Sequence, residues 1–179
     1  MQHAENGIAL SQLDLDTVLP YLDLHLMGAT NGVRLFDAAA RSWAGTPFEP
    51  VFERLRQDIH EEREYLKRMI RALGHRPNVV KMTVARLLTM VSEWNPLNPG
   101  RRQATAGAQL ELEALQSLLK VKEGMWATLH ALSLHSTAVA GEPVLNHSVI
   151  EQLLASSREQ QQTVARVMTE TASGRFLRA

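Results

Sequence analysis

The chain has 179 residues, which is enough for one domain with a sizeable apolar core. Its 19 basic and 19 acidic residues give a formal net charge of zero, which argues against a dedicated binder of nucleic acid or of an anionic membrane. The absence of cysteine excludes disulfides, thiolate metal sites and thiol catalysis. No stretch approaches the roughly 20 apolar residues of a membrane span. Residues 1–13 lack the cationic and apolar regions of a signal peptide, so we expect a cytoplasmic protein.

The first predicted element is a long helix that follows a flexible polar lead of residues 1–13. Asp14 or Asp16 can cap this helix, and it runs to about Ala44. Residues at three- and four-residue spacings define its inner face: Leu22, His25, Ala29, Gly32, Val33, Phe36, Ala40 and Trp43. Small residues therefore stand in the middle of the face that we expect to meet the core.

The second predicted helix begins near Pro47 and ends at Gly74. Gly45 supplies a stop for the helix before it. Thr46 and Glu49 have the spacing of a capping box, with proline at the first helical position. The sequence therefore predicts a tight turn between two long helices.

An acidic residue interrupts the apolar stripe of the second helix. The apolar members of that stripe are Phe52, Leu55, Ile59, Leu66, Met69 and Leu73. Glu62 completes the same series of spacings. A buried, ionised carboxylate costs several kcal/mol unless a partner, a proton or a metal compensates it. Glu62 is therefore the most informative residue of the chain.

A third, shorter helix is predicted over residues 78–94, with one continuous apolar side. The proline-rich run of residues 95–100 ends it. Between His75 and Gln103 five bases face one acid, Glu93. We read this excess as a solvated surface. The alternative is a docking surface for an acidic partner or a nucleic acid, but aromatic residues are not interleaved with the bases.

Two more long helices complete the predicted elements. One runs from about Gln103 to Ala140 and carries Lys122 among its inner apolar residues. In the other, Asn146 or Ser148 is the cap, with Ser148 and Glu151 as a second capping box. The inner line of this last helix reads Ile150, Leu153, Leu154, Ser157, Gln161, Val164 and Met168. We expect Ser173 and Gly174 to end this helix. A single domain then covers residues 14–174, and a short basic tail covers residues 175–179.

These elements predict an all-α protein. No long segment alternates with period two, so we expect no sheet. Four long amphipathic helices pack most simply as an antiparallel bundle, and the short helix 78–94 then lies in the connection between the second and third long helices. That connection is long enough to cross the bundle.

The segment Glu61–Met69, followed by Leu73 and Gly74, resembles the second helix of rubrerythrin-type members of the ferritin-like superfamily, where the pattern is Glu-x-x-His. The resemblance implies a ferritin-like four-helix bundle with one crossover connection. Glu62 matches the iron-binding glutamate of that family, whereas Tyr65 stands in place of the histidine.

The other iron ligands implied by this resemblance are also missing. The first-helix carboxylate position falls near Gly32, and Lys122 is the inner polar residue of the third long helix. Ser157 and Gln161 stand where the last helix would need Glu-x-x-His. Since a di-iron site needs about four carboxylates and two imidazoles, we expect neither a metal nor another cofactor. We predict instead that Glu62 and Lys122 form an ion pair.

The sequence thus defines a candidate interior polar cluster: His25, Glu62, Tyr65, Lys122, Ser157 and Gln161. We expect a non-catalytic binding or interaction protein, with a homo-oligomer or a protein partner left open. The alternative is an enzyme that uses Glu62 and His25 in a pocket, either with an unconventional metal or with Glu62 as a general base. No Gly-rich phosphate loop, nucleophile elbow or HExxH pattern supports an enzyme.

Overall fold

The structure is a computed structural model that describes residues 7–8, 13–76, 106–135 and 145–177. These ranges are almost entirely α-helical, so the predicted all-α class is confirmed. The helices are α1 (Leu15–Ser42), α2 (Glu49–Ala72), α3 (Ala106–Ser133), α4 (His147–Glu170) and the short α5 (Ala172–Phe176). The predicted helix 78–94 lies outside the described residues. No helix in the described ranges has the length and hydropathy needed to cross a membrane.

The cap of α1 is a predicted residue, but α2 begins two residues later than predicted. Asp14 caps α1, because its carboxylate accepts a hydrogen bond from the backbone N–H of Asp16 at 3.2 Å. Gly45 has a φ of +74°, a left-handed conformation that suits glycine. The carboxylate of Glu49 accepts from the N–H of Gly45 at 2.6 Å rather than from that of Thr46. The predicted capping box of Thr46 and Glu49 is therefore wrong: Phe48 precedes the helix without a side-chain cap, and α2 begins at Glu49.

The start of α4 selects one of the two predicted caps. The side chain of Asn146 accepts a hydrogen bond from the backbone N–H of Val149 at 3.2 Å. The hydroxyl of Ser148 donates to the Asn146 side-chain oxygen at 2.9 Å. Asn146 is therefore the cap, and the predicted capping box of Ser148 and Glu151 is wrong because Ser148 already lies within the helix.

Three predicted boundaries near the ends of helices are also wrong. The helix α3 ends at Ser133, well before Ala140. The helix α4 ends at Glu170, and residues 173–174 belong to α5 instead of stopping α4. Arg175 is not part of a free tail, since its guanidinium donates to the side-chain oxygen of Gln109 at 2.6 Å.

Two very short strands form an antiparallel ladder that the sequence did not reveal. The strand β1 (Gly7–Ile8) pairs with β2 (Leu145–Asn146), so that Gly7 lies opposite Asn146. Two residues are too few to produce a periodic signal in the sequence. The prediction of a flexible polar lead over residues 1–13 did not include this pairing at residues 7–8.

The apolar core consists of two clusters, one toward each end of the long helices. Cluster I contains residues from the start of α1, the end of α2, the end of α3 and the start of α4: Leu22, Leu26, Leu66, Met69, Ile70, Leu73, Met125, Trp126, Leu129, Leu145, Ile150 and Leu154. Cluster II contains residues from the opposite ends of the same helices: Val33, Phe36, Ala39, Ala40, Trp43, Phe52, Leu55, Ile59, Leu112, Leu115, Leu119, Val164 and Val167. It follows that α1 and α4 run from cluster I to cluster II, whereas α2 and α3 run the other way. The most extensive contacts join α1 to α2 and α3 to α4.

Candidate functional site

A layer of polar side chains lies between the two apolar clusters. Glu62 of α2, Lys122 of α3 and Gln160 of α4 each stand between a residue of cluster II and a residue of cluster I. The flanking residues are Ile59 and Leu66 on α2, Leu119 and Met125 on α3, and Leu154 and Val164 on α4. Glu62 is 7% exposed and Gln160 is 4% exposed. The polar layer is therefore an interior feature at the middle of the helices.

The polar layer is held together by one ion pair and two hydrogen bonds. Lys122 Nζ lies 2.5 Å from Glu62 Oε2, so the predicted ion pair is confirmed. The amide of Gln160 donates from Nε2 to Glu62 Oε1 at 2.8 Å. Lys122 Nζ also donates to Gln160 Oε1. The three side chains form a closed triangle in which both carboxylate oxygens of Glu62 face a cationic or amide nitrogen.

Burial changes the proton affinity of groups in and beside this triangle. It lowers the pKa of Lys122, and the charge of Glu62 opposes that shift. Burial also raises the pKa of Asp58, one helical turn before Glu62, and the like charge of Glu62 adds to this shift while the Gln160 amide opposes it. The Lys122 ammonium thus depends on Glu62 for its compensation.

The α4 members of the site differ from the predicted ones by one residue. The hydroxyl of Ser157 donates to the backbone oxygen of Leu153 at 2.8 Å, and Gln161 donates to Glu123 Oε2 at 2.9 Å. Ser157 is fully buried, as predicted, but neither of these contacts reaches Glu62. Their neighbours Ser156 and Gln160 take those places, with Ser156 Oγ 3.5 Å from Glu62 Oε1.

This displacement has a simple geometric cause. Residues at spacings of three and four both lie near one face of a helix. From Ser157, positions 160 and 161 therefore satisfy the apolar stripe equally well, and both are glutamines. The sequence offered no signal that would separate them. Val164 is buried as predicted, whereas at the end of α4 Val167 is buried in place of the predicted Met168.

Tyr65 and His25 lie on opposite sides of the polar layer. Tyr65 is half-buried, its ring centroid lies 6.1 Å from that of Trp126, and burial raises its pKa. His25 packs edge-on against Tyr21 with ring centroids 4.6 Å apart. Burial lowers the pKa of His25, which favours the neutral imidazole at pH 7.

The His25 side holds a mainly apolar cavity of about 300 Å³ between α1, α2 and α3. Its lining includes Glu62 and Lys122, so the ion pair forms part of the wall. The remaining lining residues are Leu24, His25, Met27, Gly28, Ala29, Gly32, Phe36, Ile59, Arg63, Leu66, Leu118, Leu119, Val121, Met125 and Trp126. We call this space the inner cavity.

The Tyr65 side holds an open, polar cleft of about 580 Å³ between α2 and α4. Its charged lining residues are Arg54, Asp58, Glu61, Glu62, Arg68, Glu159 and Arg166. Glu62 thus lines both spaces. The cleft is lined by seven charged residues, whereas the inner cavity is lined by three, Glu62, Arg63 and Lys122.

The donor set does not suit a metal ion. In the described residues, no three or more histidine, aspartate or glutamate side chains are grouped so that they could hold one. Gly32, at the position where the resemblance would need a first-helix carboxylate, is buried against the inner cavity.

Comparison with known proteins gives no match to any family model, any curated protein or any solved structure. The resemblance to rubrerythrin-type proteins therefore rests on the α2 residues and on the order of the helices.

Proposed function

We propose that this protein is a non-catalytic, ferritin-like helical-bundle protein without a di-iron centre, and that it acts in the cytoplasm by binding. In this proposal α1 to α4 are the four helices of an antiparallel bundle. Residues 78–94 form a short helix in the crossover from α2 to α3. We propose that the protein binds a second copy of itself or another protein, and that it binds neither a membrane nor a nucleic acid.

The positions of the helix ends support the crossover. The helix α2 ends at cluster I and α3 begins near cluster II, so residues 77–105 join points at opposite ends of the core. A helix of 24 residues such as α2 is about 36 Å long at 1.5 Å per residue. Residues 77–105 are enough for that distance even if residues 78–94 are helical.

The proposal rests on how the charge of the buried Glu62 carboxylate is compensated. Its two oxygens face Lys122 and Gln160 in the polar layer. A di-iron centre needs converging carboxylates that neutralise the metal charge. Here an ammonium supplies the positive charge in the interior, so the buried carboxylate is compensated without a metal.

Iron binding tests the proposal directly. Protein purified without a chelating tag should contain much less than one equivalent of iron, manganese or zinc. Added ferrous iron should produce neither ferroxidase activity nor a rise in melting temperature. This test is sensitive, because a ligand at a hundred times its dissociation constant stabilises a protein by roughly 2.7 kcal/mol.

The matched control is the double variant Glu62→Gln/Lys122→Met, which has no carboxylate at this position. The wild-type protein and this variant should respond to iron in the same way. A larger thermal shift in the wild-type protein, or stoichiometric metal after purification, would show that the proposal is wrong.

One observation favours the enzyme alternative. His25 and Glu62 line the same cavity, and the lowered pKa of His25 leaves a neutral imidazole that can accept a proton. Glu62 itself is a poor candidate for a general base while Lys122 and Gln160 engage it. This alternative therefore assigns the base to His25, and an activity that survives His25→Asn would exclude it.

A further inference from the structure

The inner cavity opens to the surface beside Leu24 and Val121, which are 49% and 61% exposed, and it extends from there into the interior. Protein interiors are close-packed, with few voids larger than a water molecule. The cavity of about 300 Å³ adjoins cluster I at Leu66 and cluster II at Phe36. Its volume is at the lower end of the range of about 300–1,000 Å³ that is typical of ligand pockets.

Two glycines of α1 help to create this space. Gly28 and Gly32 are four residues apart, so they lie on one helical face, and both line the cavity. A Cβ atom added at either position would meet no other described atom within 4 Å. Neither glycine has a positive φ. Close packing against the described helices and backbone conformation therefore do not explain them, although glycine inside a helix is less stable than alanine.

The charges around the cavity are paired within the protein. Lys122 pairs with Glu62, and Arg63 pairs with Glu64. Burial keeps His25 neutral, so its imidazole has one donor and one acceptor. A charged ligand would have to break one of these ion pairs or enter an apolar space without a counter-ion. The lining thus favours an uncharged ligand.

We propose that the inner cavity binds an uncharged, mainly apolar molecule of about two rings that carries one hydroxyl or carbonyl group. This inference rests on the binding role proposed above and names its ligand class. The size follows from a comparison: a cavity of about 150 Å³ accepts benzene, and the inner cavity has about twice that volume. One polar group is enough to match the neutral imidazole of His25, which lines the cavity and has one donor and one acceptor.

The test uses the full chain and 1-naphthol as the probe, with naphthalene-1-carboxylate as its charged counterpart. Calorimetric titration should give saturable 1:1 binding of 1-naphthol. The carboxylate should bind at least about tenfold more weakly, because its charge has no free partner in the cavity. Intrinsic tryptophan fluorescence, to which Trp126 contributes, should change with the same saturation curve.

Gly32→Leu is the variant that fills the cavity, and Gly124→Leu is its matched control. Gly124 is an exposed glycine inside α3, and a Cβ there also meets open space. Both substitutions increase helix propensity. Gly32→Leu should raise the melting temperature more than Gly124→Leu and weaken 1-naphthol binding by at least about tenfold, whereas Gly124→Leu should leave binding unchanged.

Three results would each overturn the proposal: no saturable binding of 1-naphthol, equal binding by the wild-type protein and Gly32→Leu, or a lower melting temperature for Gly32→Leu. The last result would mean that the chain itself already fills the space. None of these results changes the iron experiment. If 1-naphthol fails to bind and iron also has no effect, the ligand class is wrong while a non-catalytic role with a protein partner stands.

Discussion

Two networks built from similar residue types lie next to each other, one in the interior between α2, α3 and α4 and one at the surface between α3 and α4. The interior triangle consists of Glu62, Lys122 and Gln160. The surface network consists of Glu123, Lys120, Arg158 and Gln161, all with contacts of 2.6–3.1 Å to the Glu123 carboxylate. Each network joins a glutamate, a lysine and a glutamine. The side chains of Lys122 and Glu123 diverge because successive residues of a helix are about 100° apart.

The difference between the networks lies in desolvation. Lys120 is 71% exposed and Arg158 is 59% exposed, whereas Glu62 is 9% exposed at its side chain. An exposed ion pair contributes about 0–1 kcal/mol, because water solvates either partner when the other is removed. A buried partner has no such replacement. The interior triangle therefore makes each of its members depend on the others, and the surface network does not.

The largest expected effect follows from breaking the interior pair. Glu62→Gln and Lys122→Met should each lower the free energy of unfolding by about 3–5 kcal/mol, because each leaves one charge buried without its partner. The double variant Glu62→Leu/Lys122→Met should recover much of the loss. Urea unfolding of the wild-type protein, Glu62→Leu, Lys122→Met and the double variant measures this non-additivity.

Replacing Gln160 as well gives a stricter test of the interior triangle. In the double variant, its amide loses both the Glu62 acceptor and the Lys122 donor. The triple variant with Gln160→Leu added should therefore be at least as stable as the double variant. The Glu123→Gln/Lys120→Met pair is the surface control, and its two effects should be small and additive. Additive effects in the interior pair would mean that Glu62 and Lys122 do not depend on each other.

A smaller effect separates the two glutamines. Gln160→Ala removes a buried amide that donates to Glu62 Oε1 and accepts from Lys122, so it should cost about 1–3 kcal/mol. Gln161→Ala removes one hydrogen bond to Glu123 at the surface and should cost less than about 1 kcal/mol. Thermal unfolding of the two variants gives the comparison. Equal losses would remove the distinction between an interior and a surface glutamine.

The sequence predicted the parts of this molecule that depend on repeated spacing. The four long helices follow from apolar residues at spacings of three and four, and Glu62 and Lys122 were placed in the interior because each interrupts such a stripe. An ion pair between them followed, since neither charge is tolerated alone in a core.

The remaining features depend on information that spacing does not carry. Positions 160 and 161 are both compatible with the stripe of α4, and the choice between them is made by the distance to Glu62 across the core. The pairing of Gly7 with Asn146 joins distant segments through backbone groups alone. The inner cavity was not predicted either, because the glycines at 28 and 32 show where side chains are missing but not whether a neighbouring helix fills the space.

The smallest predicted effect belongs to the surface network and depends on pH. Hydrogen bonds from Lys120, Gln161 and Arg158 lower the pKa of Glu123 from 4.5 to about 2. A lowered carboxyl pKa means that the unfolded chain binds more protons than the folded one between these two values. The stabilisation is therefore complete above pH 4.5 and is lost as the pH falls from 4.5 to about 2. Because its partners are exposed, it should amount to roughly 1 kcal/mol or less.

The stability difference between the wild-type protein and Glu123→Gln should accordingly shrink across this pH range and decrease with added salt. The effect of Glu62→Gln at pH 7 should respond little to salt. Carboxyl-carbon NMR of Glu123 provides the direct measurement, and a titration midpoint near 4.5 would show that the surface network contributes nothing.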